Sequence, residues 1–356
     1  MYGIIMAGGS GMRFWPRSRE GKSKQFLKIL GKQSLLQSTL KRFKSFIPCE
    51  NIYIVTRKNQ ESEIEKHIVE IPLQNILYEP IGKNTAPCIG LAAITIQQND
   101  PNAVVVVSPA DHLIKKEDRF RKAIFAAVQL AEEKDGLVTI GISPDRPATG
   151  YGYIQIDGEL DTINGVKTFK VRTFAEKPDL ETAKRFLKSG DFFWNSGIFI
   201  FRIAVFLKAL EEFLPSLYDG LMEIKKCIGK PNYNEVFQKV YQQIKSISID
   251  YGVMEKAKNV YLVKGDFLWN DLGSWEQVYK LSPKDKNGNV VHGNVVYHDT
   301  KNSYISASDG IVAVLGLEDI VIVQDEGAIL VCRRKNAEDV KQIVERLKRQ
   351  KFEKYI

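Results

Sequence analysis

The run Ala103-Val104-Val105-Val106-Val107 contains no polar side chain. A strand of that texture offers no face to water, so it has to be covered on both sides, as the central strands of parallel sheets are. That requirement narrows the fold to a sheet held between helices, and the flanking sequence supplies both. Residues 2–6, 52–55 and 137–140 read as further buried strands. Residues 35–46, 61–71, the small-residue stretch 86–98 and residues 120–134 read as helices between them. Strands alternating with helices argue for an α/β architecture with a doubly wound, mostly parallel sheet. Ligands of such sheets gather at the carboxyl ends of the strands. The loop after Met6 and the segment after Val107 are therefore the places to look for chemistry.

From about residue 146 the pattern becomes irregular, with β-like pieces at 153–157 and 167–174 among helices at 180–189, 203–213 and 233–243. This reads as a substrate-binding half built onto the first. A polar break at 282–289, Ser-Pro-Lys-Asp-Lys-Asn-Gly-Asn, then opens a different texture. Strand-sized segments at 294–297, 303–306, 311–315, 320–323 and 328–332 recur every seven to nine residues with turns between them. They suggest a small β-solenoid or compact β-rich unit. The expected division is a catalytic domain over 1–281 and a small β-rich domain with a terminal helix over 282–356.

The net charge of +8 raises the question of nucleic acid. Its distribution answers it. Residues 333–356 hold nine Lys/Arg and four Asp/Glu, so +5 of the +8 sits in the tail. There Ala337, Val340, Ile343, Val344 and Leu347 follow helical spacing with the charges opposite, which is an amphipathic helix with a solvated face. No nucleic-acid partner is expected. No apolar run approaches the ~20 residues needed to span a bilayer, and the chain opens without a secretory signal pattern. Four scattered cysteines and four histidines show no metal-ligand spacing, so reduced thiols in a cytoplasmic protein are expected.

The loop after Met6 reads Ala7-Gly8-Gly9-Ser10-Gly11-Met12-Arg13. Its glycines allow a tight turn and bring bare N–H groups close to an anion, although a plain structural turn uses the same residues. The third glycine of a dinucleotide fingerprint is missing, and no Gly-Lys-Ser/Thr closes a P-loop. The longer context is more specific. Gly8 to Arg13, then Phe14-Trp15-Pro16-Arg17-Ser18-Arg19 and Lys24-Gln25-Phe26, resemble the signature of the sugar-1-phosphate nucleotidyltransferase family. The Trp-Pro pair, the Ser-Arg after it and the Lys-Gln-Phe ending resemble its mannose-1-phosphate guanylyltransferase branch. Phe14 stands where that pattern usually has Leu, and Ser23 where it usually has Pro.

The resemblance implies a Rossmann-like nucleotidyltransferase fold with a mixed, mostly parallel sheet, followed by a β-solenoid of the left-handed β-helix type. It implies that Arg13 and Lys24 serve a triphosphate, with Ala7, Gly8, Gly9 and Gly11 around it. The electrostatic need is plain, because two unit charges 4 Å apart repel by about 4 kcal/mol at an effective dielectric near 20. Asp111, in Pro109-Ala110-Asp111-His112 just past the buried strand, and Asp271, in Trp269-Asn270-Asp271-Leu272-Gly273, resemble the pair that holds Mg²⁺. Asp111 taken alone has the helix cap as its lesser reading. Glu79, Pro80, Asn84, Thr85 and Ala86 resemble the nucleobase segment, with Glu79 as acceptor from a guanine amine; a capped helix start uses the same residues. Gly150, Tyr151, Gly152, Glu176, Lys177 and Asn195 resemble sugar-phosphate contacts, Lys177 serving the phosphate. Asp250, in Ile249-Asp250-Tyr251-Gly252, resembles a family aspartate near the site, and His112 reads as structural.

The activity so implied is transfer of GMP from GTP to mannose 1-phosphate, giving GDP-mannose and pyrophosphate. Transfer of another base or to another sugar 1-phosphate is the rival within the enzyme class. A non-catalytic GDP-mannose-binding regulator is the rival outside it, and the full set of charged residues argues against that. After residue 281 about 75 residues remain, too few for the isomerase barrel fused in some family members, so a single activity is expected. A homodimer is a possible assembly.

Overall fold

The computed structural model describes residues 1–9, 11–68 and 70–356; Ser10 of the glycine-rich loop and Val69 lie outside the described residues. Strand β1 (Tyr2–Met6) enters the glycine-rich loop, and helix α1 (Leu35–Lys44) follows, opened by a Ser34/Gln37 capping box. Then come β2 (Ile52–Arg57), a single helical turn α2 (Glu61–Ile64), β3 (Ile76–Glu79), α3 (Thr85–Gln97) and β4 (Val104–Pro109). A short β5 (Leu113–Lys115) leads to α4 (Glu117–Lys134) and β6 (Leu137–Ile142). The long strands β7 (Tyr153–Ile163), β8 (Val166–Ala175) and β9 (Phe192–Arg202) follow, with α5 (Leu180–Ser189) between the last two. Helices α6 (Ile203–Phe213), α7 (Pro215–Cys227) and α8 (Tyr233–Gln243) then precede β10 (Val260–Gly265), β11 (Leu268–Asn270) and α9 (Trp275–Leu281).

These strands form a nine-stranded sheet in the order β3-β2-β1-β4-β9-β6-β10-β8-β7. It is mixed: β3 to β4 run parallel, as do β6 and β10, whereas β9 is antiparallel to both β4 and β6. Period-2 alternation explains the apolar run. Val104 and Val106 belong to the core under α1 and α4, while Val105 and Val107 belong to the core under α3 and α6–α8. Each such burial is worth roughly 1.5–3 kcal/mol relative to exposure.

The C-terminal strands are β12 (Val290–His292), β13 (Val295–His298), β14 (Tyr304–Ala307), β15 (Val312–Leu315), β16 (Ile320–Asp325) and β17 (Ala328–Arg333). β12, β14 and β16 stack in parallel on one face and β13 and β15 on another, and β17 closes the stack antiparallel. The seven-to-nine-residue rhythm of the sequence is thus two strands per coil of a β-helix. A 3₁₀ stretch Arg334–Asp339 runs into α10 (Val340–Arg349). Phe14, Trp15, Leu272 and Trp275 share one apolar cluster with Tyr304, Val323, Val340 and Val344, so this unit packs directly behind the glycine-rich turn.

Two expectations are corrected. The helix read over 61–71 stops at Ile64, because His67 packs on Phe26 (5.2 Å between rings) and bonds Ser34 Oγ at 3.0 Å, which turns the chain. Strands β3, β5, β9, β10, β11 and β12 and helices α7 and α9 were not expected, though Pro215 at the first turn of α7 is a start signal. Among the described residues no helix is long and apolar enough to cross a membrane.

Candidate active site

Register brings the motifs together. Met6 pairs with Pro109, so the loop after β1 lies beside the loop after β4. Asn270 pairs with Leu113 in the antiparallel β5–β11 ribbon. The residue after Asn270 therefore faces the residue before Leu113, and Asp271 arrives beside Asp111-His112. Gly11 adopts φ +63°, and a Cβ there would lie 2.4 Å from Lys24 Cβ and 2.7 Å from Lys24 N. Only glycine satisfies both constraints, and the turn is thereby seated on Lys24. Ser18 Oγ donates to Gly11 O at 2.7 Å, and Gln25 Nε2 and Thr56 Oγ1 donate to Ala7 O at 2.5 and 3.2 Å.

Arg13, Lys24, Asp111 and Asp271 line one cleft of about 350 Å³ with the Gly11–Phe14 turn. Lys24 Nζ lies 2.7 Å from Asp111 Oδ2 and donates to Asp271 O at 2.5 Å. Arg13 is exposed and makes no ion pair among the described residues. Burial pushes the Asp111 carboxyl upward, but the Lys24 charge and hydrogen bond, with His112, outweigh it and hold it below the usual range. Burial and the nearby Lys24 push His112 down, against the pull of Asp111. His112 Nδ1 accepts from Trp269 Nε1 at 3.2 Å, in keeping with a structural role. The Asp271 carboxylate accepts a 2.8 Å hydrogen bond from Tyr151 Oη. Burial and that carboxylate drive the Tyr151 hydroxyl far above its ordinary value, so it stays a donor.

A second cluster adjoins the first. Tyr153 pairs with both Ala175 and Trp194, which sets Gly152, Glu176 and Asn195 in one row. A Cβ on Gly152 would stand 2.5 Å from Glu176 Oε2, so this glycine makes room for the carboxylate. Asn195 Nδ2 donates to Asp250 Oδ1 at 2.7 Å, and Asp250 opens a π-helical turn (Asp250–Met254), a device frequent at functional sites. Burial raises the Asp250 carboxyl, opposed by Asn195 and reinforced by the charge of Glu176. Lys177 is exposed, paired with Glu176 and held at φ +45°. Asn84 (φ +73°) and Leu272 (φ +48°) are likewise non-glycine residues in the left-handed region, so three of the singled-out motifs carry backbone strain. Gly150 has nothing within 4 Å of an added Cβ.

The segment expected to meet the nucleobase is partly buried. Glu79 is 2% exposed, its Oε1 accepts from Tyr241 Oη at 2.5 Å, and Oε2 lies beneath Gly8, 3.2 Å from where a Cβ would be. It supports the loop from below. Ala86 is fully buried, with its N–H committed to Ile247 O at 3.1 Å. Asn84 caps α3 through Thr85 N at 2.8 Å, and Thr85 Oγ1 accepts from Ile249 N at 2.8 Å. Of that segment, Asn84 is exposed and Pro80 and Thr85 are half-buried. Sequence reasoning missed the Tyr151 hydroxyl bond and Arg146, whose guanidinium lies over the Trp194 ring at 4.8 Å and donates to Tyr151 Oη at 3.3 Å. An arginine five residues before Tyr151 was the available signal.

Among the described residues no group of three His, Cys, Asp or Glu forms a ready-made metal cage. Two carboxylates in one cleft, Asp111 and Asp271, suit a hard ion that takes its remaining ligands from phosphate and water.

A nucleotidyl transferase family model matches residues 2–288, and a mannose-phosphate isomerase/GMP-like β-helix domain model matches 293–347. An Escherichia coli protein named mannose-1-phosphate guanylyltransferase is 38% identical over 349 residues, covering 97% of this chain and 75% of that one. A Salmonella typhimurium protein of the same name, ManC, is 37% identical over 353 residues, covering 98% and 73%. A solved structure from Thermus thermophilus, described as a mannose-1-phosphate geranyltransferase, superposes with TM-score 0.87 at 32% identity, covering 98% of this chain and 99% of that one.

Proposed function

The chain belongs to the nucleotidyl transferase family, and from that premise we propose that it transfers GMP from GTP to mannose 1-phosphate, forming GDP-mannose and releasing pyrophosphate. The observation that carries this reading is the Tyr151–Asp271 hydrogen bond. It joins a cleft of cations and carboxylates under a glycine turn to a row of sugar-sized polar groups, so two anionic reactants can lie side by side.

The nucleophile, a phosphate oxygen of mannose 1-phosphate, is already an anion and needs no general base. It forms a bond to the α-phosphorus of GTP while the α–β anhydride bond breaks, and its electron pair leaves with pyrophosphate. Catalysis is then positioning and charge stabilisation. Arg13 and Lys24 bind the triphosphate, with the N–H groups of Gly8, Gly9 and Gly11 around it, while the Ala7 N–H is committed to Val55 O at 2.7 Å. Lys177 orients the attacking phosphate, while Glu176 and Asn195 hold sugar hydroxyls over Gly152. Asn84, with Pro80 and Thr85, meets the guanine. A divalent ion, Mg²⁺ in this reading, would be held by Asp111 and Asp271 and would supply charge neutralisation at the reacting phosphates. The proposed division of labour is a catalytic domain over 1–281 and a supporting domain over 282–356, in a cytoplasmic protein.

A panel of nucleoside triphosphates against sugar 1-phosphates, scored by pyrophosphate release, tests the proposal. GTP with mannose 1-phosphate should be turned over fastest. A different preferred pair would assign the chain to another branch of the family.

A further inference from the structure

The catalytic cleft has a wall that the catalytic motifs do not supply. Lys341, the second residue of α10, lines it together with Arg13, Lys24, Asp111 and Asp271. We propose that Lys341 is a phosphate-binding residue of the active site, gripping the β- and γ-phosphates of GTP that leave as pyrophosphate, so that the C-terminal unit completes the site. This rests on the nucleotidyltransferase reading above.

Charge makes the first argument. Without Lys341, two cations, Arg13 and Lys24, face two carboxylates in the cleft, and Lys24 is already paired with Asp111 at 2.7 Å. The side chains alone, apart from the charge a bound divalent ion would add, then offer no net positive charge to a triphosphate. Lys341 supplies it, and like Arg13 it has no ion-pair or hydrogen-bond partner among the described residues. Of the nine basic residues in the tail, it is the one that lines this cleft.

Anchoring makes the second. A lysine on a loosely attached domain would add little, but α10 is fixed on both sides. Val340 and Val344 are buried against the cluster containing Phe14, Trp15 and Leu272. Trp15 Nε1 donates to Tyr355 O at 2.6 Å, and Arg334 clasps Glu276 through two hydrogen bonds of 2.8 and 2.9 Å. Lys341 is therefore carried on the same cluster as the glycine turn itself.

Geometry assigns the phosphates. In an in-line displacement the attacking and leaving oxygens lie on opposite sides of the α-phosphorus. Lys177 and Glu176, on the attacking side, are absent from the lining of this cleft. The cleft that holds Arg13 and Lys341 is then the leaving-group side.

Titration calorimetry of the full chain with GTP, inorganic pyrophosphate and GMP, each with Mg²⁺ and without mannose 1-phosphate, tests this. Lys341→Gln should weaken GTP and pyrophosphate about 10- to 100-fold, the loss of one charged phosphate contact, and leave GMP within about twofold. Lys341→Arg should restore most of the GTP affinity. Equal GTP and pyrophosphate affinities in wild type and Lys341→Gln would overturn the assignment, as would a loss that extends equally to GMP. Melting temperatures keep the GMP comparison between folded proteins, and Lys341→Glu, folded as wild type is, should weaken GTP further than Gln does; an affinity no lower than that of Gln would again overturn the assignment. A wild-type protein that bound neither GTP nor pyrophosphate would instead refute the functional reading on which this one stands.

Discussion

Gly11→Ala isolates the contact between the glycine turn and Lys24. The native φ of +63° lies in the left-handed region, where a side chain costs about 1–2 kcal/mol. The steric term is larger. The new Cβ would stand 2.7 Å from the Lys24 backbone nitrogen and 2.4 Å from Lys24 Cβ, and neither is the free end of a flexible side chain. Ordinary contact requires the turn to withdraw by a large fraction of an ångström, carrying Arg13 with it and loosening Lys24 from Asp111. A displacement of about 1 Å at a positioned group costs on the order of 100-fold in rate. Steady-state kinetics with GTP and mannose 1-phosphate should therefore show kcat/KM down by about 100-fold. The loop is at the surface, so the melting temperature should fall by only a few degrees. A variant with kcat/KM within about twofold of wild type would refute the claim that the turn is seated on Lys24.

Tyr151→Phe removes the hydroxyl that Asp271 accepts at 2.8 Å; loss of a hydrogen bond to a charged group should lower kcat/KM about 10-fold or more, with a raised requirement for divalent metal, and an unchanged metal titration would count against the coupling. Gly152→Ala should drive Glu176 from its place, since the added Cβ meets Oε2 at 2.5 Å; KM for mannose 1-phosphate should rise more than KM for GTP, and equal changes would contradict the sugar-side assignment. Burial lifts Glu79 from its ordinary 4.5 to about 7, against the pull of the Tyr241 hydroxyl. The fold thus favours the protonated carboxyl, so this stabilisation is complete below about 4.5 and is lost as pH rises through about 7, a change of about 3 kcal/mol. Denaturation of wild type and Glu79→Gln at pH 5 and pH 8 should show the variant losing less stability across that window, and parallel losses would refute the buried-carboxyl account.

What the sequence made legible was what neighbouring residues determine. The Ala103–Val107 run demanded two-sided cover and lies between two cores. The glycine turn, the Asn84 cap and Asp111 just past a buried strand follow from residue type and short spacing, whereas Asp271 was reached only through the family resemblance. What stayed hidden depends on register between segments far apart in the chain. Tyr151 reaches Asp271 across 120 positions and Tyr241 takes Glu79 across 162, and no local pattern separates an inward carboxylate from one facing a ligand. The tail helix shows the same limit. Its amphipathic spacing was readable, but its docking behind Phe14 and Trp15, which turns Lys341 toward the cleft, is a matter of tertiary packing.

In the proposed reaction a metal held by Asp111 and Asp271, with Arg13, Lys24 and Lys341 around the phosphates, lets two polyanions exchange a phosphoanhydride bond. The most direct measurement is GDP-mannose formation from GTP and mannose 1-phosphate by wild type, Asp111→Ala and Asp271→Ala under identical conditions. Wild type should be active and each variant should lose several factors of ten, each factor being about 1.4 kcal/mol of barrier. Inactive wild type, or two variants that turn over at the wild-type rate, would contradict it.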